Sequence, residues 1–354
     1  MKIYKTAGLL VLLAITIVFP ILFSNPAVTS IAIFTLIFAA AATAWNIISG
    51  YTGYIALGHA AYFGIGAYAL AISCQDRNIA GGYAPFFWVP VAGLIAAIIS
   101  IPLGWLALRV RRHTFIVITI AMFFIVQLMA YNLRDLTNGS TGLSLPIPFD
   151  WFGPSNFLNI PFYYVTLAVM LLAIAISWWI RNSKFGLGLL AIRDDEDRAM
   201  GLGVRTGSSK LIAFVISALL VGMLGAIYGY FVGAVAPASV FDPNFDVAIA
   251  LMAFLGGLGT LSGPLLGALI LEPAQQYFIL QYGANGYYLI IYGALFLLVV
   301  IFMPTGIIPT GKSLWYRYRQ TRGQEQRKDG LIISALPRSG GKGANVEKKE
   351  GINL

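Results

Sequence analysis

Residues able to do chemistry are scarce in this sequence. One cysteine, Cys74, and two histidines, His59 and His113, accompany 14 acidic side chains, so neither a disulfide framework nor a cluster for zinc or a redox centre is indicated. An intramembrane enzyme would need a nucleophile and a base together. Ser262 and His59 are candidates by type, but nothing in the sequence brings them together and G-x-S-x-G is missing. We therefore predict no catalytic residue and no metal site.

Glycine is concentrated in two runs, from Gly50 to Gly66 and from Gly256 to Gly267. Small residues allow close helix packing, which is the favoured interpretation of each run. In the alternative, each run breaks a helix that lines a cavity, since irregular backbone at membrane depth is tolerated beside protein or water. The alternative predicts a substrate path along Gly58, His59, Gly64, Gly66, Gly257, Gly259 and Ser262. His59 alone is more typical of a packing residue than of a substrate contact.

A charged run lies inside the stretch 182–206. Ser183 offers an N-cap and Gly201 a stop signal, so one short amphipathic helix is predicted. Its apolar face is expected to include Leu189, Leu190, Ile192 and Met200. The run from Arg193 to Arg198 carries a net charge of minus two, which argues against a membrane-surface helix and favours docking of a soluble partner. A solvated connector with paired charges is the alternative.

The elements that must hold these residues are membrane-spanning helices. A hydrophobic content of 58% and a charged content of 10% lie far from globular chains, of which about 25% is charged. We predict an all-α polytopic membrane protein, because stretches close to the roughly 20 apolar residues that cross a bilayer recur along the chain. The predicted spans are Ala7–Phe23, Val28–Ile48, Tyr54–Ser73, Phe86–Leu108, Thr114–Tyr131, Phe162–Ile180, Leu211–Ala234, Asp246–Leu258, Leu265–Leu280 and Tyr287–Met303.

The interrupted stretch 246–280 is either one imperfect span or two short ones. With two crossings, both termini lie on the cytoplasmic side. All of the 23 basic residues except Arg77 and Arg134 then lie on that side too, as the positive-inside rule favours. We therefore predict about ten spans, with a short or re-entrant one at Asp246–Leu258, and expect the first span to be retained. Residues 1–310 form the membrane domain, with a cytoplasmic loop at about 181–210, and residues 311–354 form a basic, disordered cytoplasmic tail.

Charge inside the spans is limited in this scheme to His59 and Glu272. Carriers coupled to protons or sodium typically hold several buried carboxylates or basic partners, so this count disfavours them. Any energy source is expected on another subunit. The net charge of +9 reports orientation in membrane lipid and does not predict nucleic-acid binding.

Four stretches resemble, in order and spacing, the LivM-type permeases of high-affinity branched-chain amino acid ABC importers. They are GYTGYIALGHAAYFGIGAY from Gly50, LTNGSTGLSLPIP from Leu136, SKFGLGLLAIRDDEDRAMGLGV from Ser183 and AFLGGLGTLSGPLLGALIL from Ala253. The resemblance covers nearly all of the membrane region and excludes the tail. It implies an ABC-importer permease of the inner membrane with a cytoplasmic coupling helix. The chain would not be an enzyme.

The resemblance also implies partners. They are two cytoplasmic ATPase subunits, which would hold ATP and magnesium, a second homologous permease and an extracytoplasmic binding protein. Docking of the ATPases is carried over onto Gly186, Arg193, Asp194, Asp195, Arg198 and Gly201. The implied function is import of leucine, isoleucine or valine by alternating access. Urea or short amides, which related permeases carry, and an ion-coupled secondary carrier remain the alternatives. Whether two copies of this chain pair is also open, although the resemblance favours a homologue.

Overall fold

The computed structural model describes residues 14–23, 25–146, 160–282, 290, 293–294, 297, 301, 306–311 and 313. Within these ranges the chain is almost entirely helical. The helices are α1 (14–22), α2 (Pro26–Thr52), α3 (His59–Asp76), α4 (Ala84–Ala107), α5 (Arg112–Asn132), α6 (Arg134–Thr137), α7 (Ile160–Asn182), α8 (Lys184–Asp194), α9 (Glu196–Gly201), α10 (Thr206–Val232), α11 (Pro237–Val240), α12 (Pro243–Gly256) and α13 (Gly263–Tyr282). Two short strands, β1 (Leu143–Ser144) and β2 (Ala234–Val235), pair antiparallel.

Six described helical segments are long and apolar enough to cross a membrane, by length and composition. They are Pro26–Thr52, Ala84–Ala107, Arg112–Asn132, Ile160–Asn182, Thr206–Val232 and Pro237–Gly256. The prediction of an all-α protein with several spans is therefore confirmed. The predicted total of about ten stays a prediction, because most of Tyr287–Met303, the start of Ala7–Phe23 and nearly all of the tail lie outside the described residues.

The first glycine run contains a break between two helices. Helix α2 begins where the Asn25 side chain accepts a hydrogen bond from the Ala27 amide, and it ends at Gly53, whose φ is 72°. The predicted span Tyr54–Ser73 is wrong at its start, since α3 begins at His59. Side chains of α2 explain the extended backbone between them. Trp45 donates to the Ala56 carbonyl at 2.7 Å, and Ser49 accepts from the Ala56 amide at 3.1 Å, so these backbone groups are satisfied without a helix.

The second glycine run is the turn of a helical hairpin. Gly256 lies against Gly263, and Gly267 lies against the Met252 carbonyl further along, so α12 and α13 pack antiparallel. Gly257 and Gly259 have φ values of 121° and 74° in the turn between them, a region that favours glycine. The interrupted stretch is therefore two helices and not one imperfect helix, while the two membrane crossings predicted from the charge distribution stay a prediction.

Close packing explains other glycines. Gly66 of α3 faces the Gly222 backbone of α10, and Gly225 faces the Phe63 carbonyl, so that a Cβ at either position would clash with main chain. Such contacts bring α3 and α10 together at the centre of the described helices, where Leu70, Leu224 and Ile227 are fully buried. Packing and helix breaking thus both occur within the first run, at different glycines.

The helical body has two ends. Helix α10 starts at Thr206, after α8 and α9, and finishes at Val232, before β2. The first end, here named the α8–α9 end, also holds the break 53–58 and the turn 257–262, because Arg193 and Arg181 contact Gly50 and Gly259 there. The opposite end, here named the strand end, holds β1, β2, α6 and α11.

Candidate functional site

The predicted amphipathic helix is two helices. Ser183 caps α8 by accepting a hydrogen bond from the Gly186 amide at 3.1 Å, as predicted. Asp195 then takes an extended conformation, and its carboxylate accepts from the Arg198 amide at 3.0 Å, which caps a new helix, α9. The prediction of a single helix through the charged run is therefore wrong, because Asp195 is the N-cap of a second helix.

The faces of this pair differ. Leu189 and Ile192 are fully buried against the helical body, as the apolar face predicted. Met200 does not belong to that face, since it is 55% exposed once α9 changes direction. Leu202 and Leu187 are also exposed, at 83% and 64%. The pair therefore presents apolar side chains away from the chain's own core, a feature that often marks an interaction site.

The acidic residues of the run face basic residues at the start of α5. Asp194 and Asp197 line a cavity of about 330 Å³ with Arg111, Arg112 and His113. Arg111 lies 3.4 Å from Asp197, but both side chains are exposed, so this ion pair contributes little to stability. The hydrogen bond from the Arg198 amide lowers the pKa of Asp195. Of the predicted coupling residues, Gly186 packs against the Ile180 carbonyl, whereas nothing lies within 4 Å of a Cβ built on Gly201.

Arg193 turns inward, away from the exposed face of the pair. Its guanidinium donates to the Gly50 carbonyl at 2.9 Å, in the last turn of α2. Arg112 in turn donates to the Ile192 carbonyl of α8 at 2.8 Å. These charge-assisted hydrogen bonds fix α8 to the start of the first break.

A second set of contacts reaches the other break. Arg181, at the end of α7, donates to the Gly259 carbonyl. The fully buried Asn46 accepts from the Gly259 amide at 2.8 Å and donates to the Thr260 carbonyl at 3.0 Å. The two glycine runs, which lie far apart in sequence, thus meet at the α8–α9 end, and each is held by an arginine from α7 or α8.

A buried ion pair fastens α9 to the body. Lys210 is 3% exposed; its ammonium pairs with Glu196 and donates to the Tyr54 hydroxyl at 3.2 Å. Tyr54 also donates to Glu196. Burial raises the pKa of Glu196, but the hydrogen bonds from Lys210 and Tyr54 outweigh it and leave the pKa below its ordinary value. Sequence reasoning missed this cluster, although a lysine in an apolar helix is an available signal.

Asp246 is a second residue that the sequence analysis missed. Its buried carboxylate accepts from the His59 amide at 2.8 Å and from the Ala60 amide at 3.2 Å, so α12 supplies the cap of α3. The count that limited chargeable groups in the spans to His59 and Glu272 is therefore wrong. The His59 ring is fully buried and 2.8 Å from the Ser217 hydroxyl.

The predicted substrate-path residues occupy three places. Gly58 and His59 lie at the start of α3, where a Cβ on Gly58 would clash with the Thr119 carbonyl. Gly64 and Gly66 lie inside α3, against the Phe241 ring and the Gly222 backbone. The other members, Gly257, Gly259 and Ser262, belong to the α12–α13 turn. Of these residues, Gly58 lines a small cavity together with Tyr62 and Phe214. A role of the three places in a substrate path stays a prediction.

Comparison with known proteins agrees with the resemblance. Residues 27–300 match the family described as branched-chain amino acid transport system permease component. The chain is 27% identical to the high-affinity branched-chain amino acid transport system permease protein LivM of Salmonella typhimurium, over 90% of this chain and 78% of that protein. It is 28% identical to the corresponding LivH of Escherichia coli, over 77% and 91%. It is also 27% identical to the autoinducer 2 import system permease protein LsrC of Yersinia pseudotuberculosis, over 60% and 56%. No solved structure matches the chain.

Proposed function

This chain belongs to the family of branched-chain amino acid transport system permease components, and from that membership we propose that it is the permease subunit of an ATP-driven importer. It is a transport subunit and not an enzyme, as its relatives are named. In our proposal it moves leucine, isoleucine or valine into the cytoplasm by alternating access. It is a multi-pass protein of the inner membrane, and both termini are on the cytoplasmic side.

The proposed partners follow from the chain's relatives, which are named as permease components of transport systems. Two ATPase subunits, which bind ATP and magnesium, would dock on the chain at the α8–α9 end. Distinct permeases named LivM and LivH carry the same system name in Salmonella typhimurium, and this chain is similar to both. That supports pairing with a second homologous permease. A binding protein would deliver the amino acid to the strand end.

One observation carries the coupling mechanism. The helix pair α8–α9 has an exposed apolar face for a partner, while its buried side holds Gly50 through Arg193. Arg181, directly before the pair, holds Gly259. A partner that moves this pair therefore pulls on both helix breaks, where irregular backbone absorbs rotation more easily than a helix does. ATP-driven closure of the ATPases would supply that movement.

The proposed function is tested by purification of the chain with its partners in mild detergent. We expect two ATPase subunits and a second permease to co-purify, and the binding protein loaded with leucine, isoleucine or valine to stimulate ATP hydrolysis. Stimulation by autoinducer 2, urea or a short amide, with none by leucine, would replace the substrate and keep the importer. Transport along an ion gradient by a chain without ATPase subunits would refute the importer.

Coupling is tested by Arg193→Met in the reconstituted importer. Loss of a charge-assisted hydrogen bond is expected to lower the amount of leucine imported per ATP by about tenfold or more, while ATP hydrolysis continues. Lys184→Met is the matched control, since Lys184 is an exposed cation on the same helix. Equal transport per ATP in the two variants would refute the role of Arg193.

A further inference from the structure

The strand end contains a cavity that none of the predicted path residues lines. It has a volume of about 100 Å³ and lies where α2, α3, α10, α12 and α13 converge, beside α11. We propose that this cavity binds the transported amino acid, with the apolar side chain against the aromatic rings of the lining and the ammonium group beside its acceptors. This inference rests on the proposed function, because it assigns the substrate a place in the chain.

Aromatic rings form the inner wall. Phe38, Phe63, Tyr228 and Phe245 line the cavity from four different helices. The ring centroids of Phe63 and Phe245 lie 4.4 Å apart, and those of Phe38 and Phe245 lie 5.4 Å apart, so the wall is a continuous packed cluster. Such a wall suits an apolar group.

The lining of the cavity also carries acceptors. Oε1 of Gln275 is buried without a hydrogen-bond partner among the described residues. A buried acceptor that lacks a donor is costly, and an N–H group of a ligand would remove that cost. Asp242 also lines the cavity, and one of its oxygens accepts from the Asn244 amide at 2.9 Å to cap α12. Among the described residues no donor contacts its second oxygen, so Asp242 and Gln275 together present acceptors suited to an ammonium group.

Another residue of the lining, Asn244, suits a carboxylate. Asn244 is exposed, and its side-chain amide provides N–H donors. An ammonium group, a carboxylate and an apolar side chain are the three parts of a neutral α-amino acid. The cavity, at about 100 Å³, is smaller than the roughly 150 Å³ engineered cavity that holds benzene. We therefore expect branched aliphatic side chains to be favoured over aromatic ones.

The proposal is tested by binding of radiolabelled leucine to the purified importer without its binding protein, by equilibrium dialysis. Asp242→Asn keeps an acceptor for the helix cap and removes the charge; Phe38→Leu removes part of the wall. Each is expected to weaken binding by about tenfold or more. The matched controls are Asp135→Asn, an exposed carboxylate at the strand end, and Phe34→Leu, one turn earlier on α2 and outside the cavity. Both are expected to bind leucine as the wild type does.

Competitors identify which group each residue recognises. Isoamylamine, which has the ammonium group and lacks the carboxylate, is expected to compete with leucine in the wild type and not in Asp242→Asn. Isocaproate, which lacks the ammonium group, is expected to compete poorly in both. No leucine binding by the wild type, or equal binding by all four variants, overturns the cavity assignment. Leucine uptake by the same preparation decides the proposed function separately, so an importer that transports leucine with unaltered variants refutes the site alone.

Discussion

The Lys210–Glu196 pair predicts an asymmetry between two substitutions that each break it. Glu196→Gln removes the partner of an ammonium group whose side chain is 4% exposed, and leaves that charge in the helical body. Lys210→Met removes the buried charge itself and leaves a carboxylate whose side chain is 22% exposed. Because an unpaired buried charge costs more than a lost pair, Glu196→Gln is expected to be the more destabilising change.

The magnitudes follow from these exposures. Removal of one partner from a fully buried pair costs about 3–5 kcal/mol, and the partial exposure of Glu196 gives water some access to the ammonium left behind. We therefore expect Glu196→Gln to lower the free energy of unfolding by about 2 kcal/mol, or about thirtyfold in the equilibrium constant. Lys210→Met is expected to lower it by about 1 kcal/mol. The double variant should cost less than the two losses added, because the second change removes the unpaired group.

Reversible unfolding in mixed detergent micelles, followed by circular dichroism, measures these free energies. Tyr54→Phe serves as the control within the cluster, since it removes one hydroxyl and no charge, and is expected to cost about 1 kcal/mol. Equal losses for Glu196→Gln and Lys210→Met, or strictly additive losses in the double variant, would refute a buried, coupled pair.

Three further predictions follow from the structure. The pKa of Glu196 is lower in the folded protein than its ordinary value of 4.5, so the charged carboxylate stabilises the fold above pH 4.5. This stabilisation is lost as the pH falls through the pKa of the folded state. The free energy of unfolding below pH 4.5 should show this loss in the wild type and not in Glu196→Gln. Gly66→Ala is expected to lower the free energy of unfolding by about 1–3 kcal/mol, because the new Cβ would clash with the backbone of α10. Gly207→Ala is the control: its Cβ meets nothing within 4 Å, so it is expected to be neutral or slightly stabilising in the same unfolding assay. In a cysteine-free background, an impermeant thiol reagent should label Ala238→Cys in intact cells and Leu202→Cys only in inverted vesicles; the reverse pattern would overturn the proposed orientation.

The predicted spans were placed by hydropathy, and Val28–Ile48 is shorter than α2 at both ends. Local signals lie at those ends: Asn25, Pro26 and Gly53 act within a few residues of themselves. Ser183 marks the start of α8 for the same reason. The sequence also indicated that the glycine runs either pack helices closely or break them. Their composition does not distinguish a packing glycine, such as Gly66, from a helix break at Gly53. That distinction depends on which backbone lies opposite, which is a tertiary property.

Non-local partners account for what the sequence did not predict. Asp246 caps α3 through the amide of a residue 187 positions away, and no periodicity in either segment indicates that contact. Arg193 belongs to a charged run that favours an exposed docking surface, yet it points to Gly50, 143 positions away. In each case a polar group inside the helical body is satisfied by a distant backbone group. Such pairings are fixed by the fold as a whole.

The contacts also indicate how movement at one end reaches the other. Arg193 holds the backbone at Gly50, where the first break begins, and Asp246 holds the amide of His59, where that break finishes. Asp246 follows Phe245, a wall residue of the strand-end cavity, and His59 opens the helix that carries Phe63, another wall residue. A continuous series of hydrogen bonds and packed side chains therefore joins the helix pair to the cavity. The segment 53–58 is non-helical, and charged side chains hold the backbone just before it and just after it. We therefore expect this segment to be the part that changes conformation when the helix pair α8–α9 moves.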